Sequence, residues 1–120
     1  MIIELSEQAG NAMLDALSAL MDGGSIELLT GDGKILAVLP LSYPAAMVAV
    51  DGEIEFNDIA QDLARAKGNA TAARIVAADG SEIFSCDAGD ENSDAVVKLT
   101  STQINRGAPV LINSFRLAMP

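Results

Sequence analysis

Cys86 and the acids after it, in "FSCDAGDENSD" (84–94), are the residues whose types and spacing could do chemistry. A thiol attacks only as thiolate, which requires a neighbouring cation or a helix N-terminus. The near neighbours of Cys86 are carboxylates instead, which raise its pKa, so Cys86 reads as a small strand residue. Asp87, Asp90, Glu91 and Asp94 are hard oxygen donors of the kind Ca²⁺ prefers, and they are the chain's candidate metal ligands. Their spacing does not make an EF-hand loop. With Asp90 in the first position, Ala95 falls at the hinge that needs glycine and Ser101 where the bidentate glutamate belongs. With Asp87 first, Asn92 takes the hinge. The run reads as a solvated acidic loop between two strands, and no cofactor is expected.

Other chemistries lack their parts. The chain has no histidine, which removes the usual general base near neutral pH, the Ser-His-Asp and Cys-His nucleophile systems and most zinc sites. Carboxylate pairs for glycoside hydrolysis are available in number, but sugar sites rely on aromatic platforms, and Phe56, Phe84, Phe115 and Tyr43 are the whole aromatic set. "GDGK" (31–34) lacks the spacing and the following Ser/Thr of a phosphate-binding loop. Arg74 is expected to pair with one of the many acids, for instance Glu82 across the hairpin. The expectation is a protein without catalytic activity.

Charge points the same way. The formal net charge is −10, with seven Lys and Arg scattered along 120 residues. Phosphate backbones bind clustered cations, through counterion release, so nucleic acid and anionic membranes are not expected partners. Apolar runs such as 35–41 and 45–50 are too short to cross a bilayer. "MIIELSEQAG" lacks a basic start and a signal-like apolar block, so synthesis in the cytoplasm is expected. The length suits one domain, residues 1–120.

The elements that must position these residues are mostly strands. Residues 6–22, "SEQAGNAMLDALSALMD", place Met13, Leu14, Leu17, Leu20 and Met21 on one helical stripe, with Asn11, Asp15, Ser18 and Asp22 opposite. Ser6 is the expected N-cap and Gly23-Gly24 the stop. Strands are predicted at 25–30, 34–42, 45–50, 53–57, 71–78, 81–87, 95–101 and 108–119, joined at "GDG", Asp51-Gly52 and Asp79-Gly80. In the last strand, Leu111, Phe115, Leu117 and Met119 share the inward phase. Residues 57–68 read either as a short helix capped by Asn57 or Asp58 or as a long connection. The predicted fold is mainly β, α+β by content: an antiparallel β-sandwich or meander with one N-terminal α-helix packed on it.

Three stretches carry a resemblance: "LSEQAGNAMLDALSALMDGGSIELLTG" (5–31), "ATAARIVAADGSEIF" (70–84) and "INSFRLAMP" (112–120). Together they resemble a loosely defined group of small tailed-phage virion proteins, with their opening helix, Gly-Gly, Ala-Arg-Ile hairpin with a D-G turn, and closing Ser-Phe strand. Residues 32–69 match poorly, and Ala72 stands where the group has an aromatic. The resemblance implies a structural part of the particle, either capsid decoration or a neck or tail accessory, and hence localisation in the virion. It implies capsid or tail proteins as partners and self-assembly into a homo-oligomer, where repeated weak contacts gain strength by avidity. Chain ends commonly add strands to neighbours, so Ile2, Ile3, Leu111, Phe115, Leu117 and Met119 are the expected contact residues. The alternative is a β-sandwich module that binds a small ligand or carbohydrate, with calcium at 87–94.

Overall fold

A computed structural model describes residues 6–118. Helix α1 spans Glu7–Met21, with Ser6 Oγ accepting from the Ala9 N–H at 3.1 Å and Glu7 at the positive end of the helix dipole. After it come β1 (Ser25–Leu29), β2 (Ile35–Pro40), β3 (Glu53–Glu55), β4 (Asp62–Leu63), β5 (Gly68–Asn69) and β6 (Ala72–Val76). The chain continues with β7 (Glu82–Asp90), β8 (Val97–Leu99), β9 (Gln103–Ile104), β10 (Pro109–Val110) and β11 (Ile112–Ala118). Seven strands form one sheet in the order β2-β1-β6-β7-β8-β11-β3, while β10-β4 and β5-β9 are separate two-stranded ladders. The fold is mainly β with one helix packed on the sheet, as the patterning predicts.

Alternation drives the central strands. Ile26 and Leu28 of β1 and Ala73 and Ile75 of β6 are fully buried, with Ser25, Glu27, Ala72 and Arg74 on the other face. Register places Glu27 level with Arg74, and the Arg74 guanidinium meets Glu27 Oε1 at 2.6 Å through Nε and 2.5 Å through Nη2. The expected Glu82 pairing does not form, because Glu82 lies level with Val76 while Ser85 is opposite Arg74.

The sheet is mixed where an antiparallel one was predicted. β7 and β8 run parallel, Ala88 level with Val97 and Asp90 with Leu99. Parallel neighbours normally need a crossover of a dozen residues or more, yet only residues 91–96 separate these two strands. Gly89 makes the tight return possible: a Cβ there would sit 2.3 Å from Ser93 Oγ and 2.9 Å from Ser93 Cβ. The loop therefore folds directly onto the strand it has just left.

The structure settles one open reading and overturns one expectation. Residues 57–68 form no helix: the Arg65 and Ala66 N–H groups both donate to Leu36 O on the outer edge of β2, and β4 pairs with β10. Residues 45–50, predicted as a strand, form an irregular strap held by isolated bridges from Ala46 to Phe56 and from Val50 to Glu53. Its turn at Asp51-Gly52, with φ of 55° and 72°, has the left-handed pair that the sequence predicts. The turn before β7 differs, since only Gly80 has positive φ there and the Gly80 N–H closes onto Ala77 O.

Among the described glycines, Gly24 has the tightest surroundings. A Cβ at this position would lie 2.1 Å from the Val76 carbonyl oxygen, whereas one at Gly80 meets nothing within 4 Å. Gly24→Ala is expected to cost roughly 3 kcal/mol by overpacking against backbone, and Gly80→Ala about 1 kcal/mol from its left-handed backbone alone. Urea unfolding of the two variants checks the order; a Gly80→Ala loss equal to the Gly24→Ala loss would contradict it.

Candidate functional site

The sequence-predicted chemistry disperses in the fold. Cys86 is level with Ala73 in the β6–β7 ladder and packs against the core. Burial, with the Asp87 charge as a smaller cause, pushes its thiol from 9.0 up to about 11. Such a thiol is poorly ionised at neutral pH, and its setting is that of an inert structural cysteine.

Two of the four acids at 87–94, Asp87 and Asp90, are tied to backbone N–H groups. Asp87 Oδ1 accepts from the Val96 N–H at 2.9 Å, and Asp90 Oδ1 from the Asn92 N–H at 3.0 Å. Asp90 O also accepts from Ser93 N and from Ser93 Oγ. These bonds secure the return that makes β8 parallel to β7. Among the described residues, no group of three or more metal-ligating side chains converges.

The expected contact residues at the chain ends separate as well. Ile2, Ile3 and Met119 lie outside the described residues. Phe115 is buried and stacks on Phe56, with ring centroids 4.0 Å apart and planes 15° from parallel. Leu117 packs against the core, and only Leu111 is well exposed. A register shift between Ile112 and Ser114 interrupts the alternation that the sequence suggests. β11 also lies between β8 and β3, so it is an interior strand of the sheet.

The arrangement that pattern reading missed is on α1. Asn11, Asp15 and the C-cap Asp22, placed by the sequence opposite the apolar stripe, accept hydrogen bonds from N–H groups of the strap and the turn after it: Asp22 from Ala45 at 2.7 Å, Asp15 from Ala49 at 2.8 Å and Asn11 from Gly52 at 2.8 Å. Between them, Met47 N–H donates to Glu55 O and Val50 N–H to Glu53 O. The strap thus lies between the helix flank and the β3 edge, and it runs antiparallel to α1. Ala45 and Ala49, both buried, allow it to lie close. The available signal was the spacing of Asn11, Asp15 and Asp22 along one helix flank, together with Pro44 immediately before the strap, where the missing N–H interrupts any regular ladder.

This fit rotates the helix relative to the predicted stripe. Gly10, Leu14 and Met21 are buried and Leu17 half-buried, while Met13 is 53% and Leu20 62% exposed. The strap's own Met47, Val48 and Val50 are exposed, as is Tyr43 just before it. These six make up all but two of the large apolar side chains left exposed among the described residues; Leu63 and Leu111 are the others. Surface of this kind marks sites of association.

Two outcomes follow. Asp15→Ala and Asp22→Ala should each cost about 2 kcal/mol, because each leaves a partly buried strap N–H without its charged acceptor; urea unfolding measures it, and losses below those of an ordinary surface change would contradict the clamp. Cys86 should react with a thiol reagent at pH 8 about a hundredfold more slowly in the native protein than in urea, following the two-unit gap between about 11 and 9.0. By the same linkage its contribution to stability is complete below pH 9 and is lost as pH rises toward 11. Equal labelling rates in the two states would contradict its burial.

In comparisons with known proteins, no family model, no curated protein and no solved structure matches this chain.

Proposed function

We propose that this protein is a non-enzymatic structural component of a tailed-phage particle, a capsid decoration or a neck or tail accessory, acting through protein–protein contacts with capsid or tail proteins and with its own copies. The observation that carries the reading is the concentration of exposed apolar side chains on α1 and the strap, on a chain of net charge −10. A protein that acts by contact needs such a surface, and its acidity keeps the free subunit soluble before assembly. The stretches that carry the resemblance also form the framework of the fold: α1 with β1, the β6–β7 hairpin, and β11.

Mass spectrometry of gradient-purified particles from infected cells tests the proposal. The expected result is this chain at a copy number fixed relative to the major capsid or tail protein. Its presence in the lysate together with its absence from washed particles would overturn the virion role.

A further inference from the structure

The crest of α1 and the strap beside it form a surface with an unusual distribution of charge. At roughly 100° per residue, the Asn11, Asp15 and Asp22 row faces the strap, and Met13 and Leu20 fall on the opposite flank. Between the two flanks the crest carries Ala12, Ala16 and Ala19, all exposed. From Ala9 to Leu20 the only charged residue is Asp15, whose carboxylate is engaged by the Ala49 N–H. The crest is therefore free of charge and low in profile, so another backbone can approach it closely.

On its far side the strap borders a shallow groove of about 340 Å³. Met47, Val48 and Val50 make its apolar wall; Asp51, Glu53 and Glu55 supply the carboxylates. The nearby cation is Arg116, at 3.8 Å from Glu53 and 3.5 Å from Glu55, with all three side chains about half exposed. Pairs of that length and exposure are weak, so the groove keeps its negative character. Apolar wall and acidic rim together match the two halves of a lysine or arginine side chain, whose stem is apolar and whose head is charged.

We propose that this crest-and-strap face docks an apolar, basic segment of a partner protein, with a Lys or Arg side chain laid in the groove, its stem on Met47, Val48 and Val50 and its head among Asp51, Glu53 and Glu55. Charge complementarity selects this occupant over a second copy. Two copies meeting here would bring acidic rims together on chains of net charge −10, so contacts between copies belong to another face. The inference goes beyond the virion role and does not depend on it, because it concerns an interface that purified protein displays by itself.

The probe is a synthetic amphipathic peptide of leucine and lysine, with a twin carrying glutamate at every lysine, titrated against the intact chain by calorimetry. The lysine peptide should bind and its twin should not. Val48→Asp and Ala16→Asp should each weaken the lysine peptide by about tenfold, the equivalent of losing one apolar anchor. These exposed substitutions add negative charge, so nonspecific attraction of a cationic peptide would instead strengthen. Glu53→Gln with Glu55→Gln should weaken binding and flatten its salt dependence. Thermal melting of every variant checks that the fold is kept. Binding that is unchanged or tightened in the aspartate variants overturns the proposal, as does equal binding of both peptides. Concentration-dependent dimerisation of the chain alone, abolished by Val48→Asp, would also overturn it by making a second copy the occupant.

Discussion

Three side-chain oxygens on one flank of α1 hold this fold in its observed arrangement. Asn11, Asp15 and Asp22 take the N–H groups of Gly52, Ala49 and Ala45, which otherwise belong to a segment too irregular to satisfy itself. The strap is wedged between helix and sheet, and its remaining donors at Met47 and Val50 go to the β3 edge. The helix is thereby fixed in position and in rotation. Once its polar flank is committed to the strap, Gly10, Leu14 and Met21 turn to the core, and Met13 and Leu20 are carried outward. The same hydrogen bonds therefore seal one edge of the sheet and create the exposed apolar surface.

Covering the edges is a recurring problem for a sheet of this kind, and the chain solves it twice. The strap shields β3. The segment around Arg65 and Ala66 donates two N–H groups to Leu36 O and shields the outer edge of β2. Both covers are irregular, and both were hard to read because their hydrogen bonds go to partners distant in sequence. Local propensity favoured a strand at 45–50 and allowed a helix at 57–68. Tertiary partners took the backbone groups of both segments.

What was legible in the sequence followed local chemistry. Ser6 and Gly23-Gly24 bound the helix at nearly the predicted residues, and the Asp-Gly turns fall where the hairpins need them. β1 and β6 alternate as their residues imply. The helix stripe was placed one flank away from its true orientation, because Met13 and Leu20 are apolar and nothing local says that the polar flank beside the core would be claimed by backbone. The parallel β7–β8 pair was illegible for a similar reason. Its signal is the absence of a side chain at Gly89, which acquires meaning only when Ser93 lies on top of it. The acidic run at 87–94 offered candidate metal ligands but read as a solvated loop, and the bonds of Asp87 and Asp90 to the Val96 and Asn92 N–H groups give those two carboxylates an architectural task.

The most direct test of the clamp is native-state hydrogen exchange at the amides of Ala45, Ala49 and Gly52. The arrangement described predicts that all three are protected together, at a level near that of the β3 edge, although none belongs to a ladder with more than an isolated bridge nearby. Exchange at the rate of an open surface loop would contradict it. The helix orientation, the sealed edge and the exposed apolar face would then need another cause.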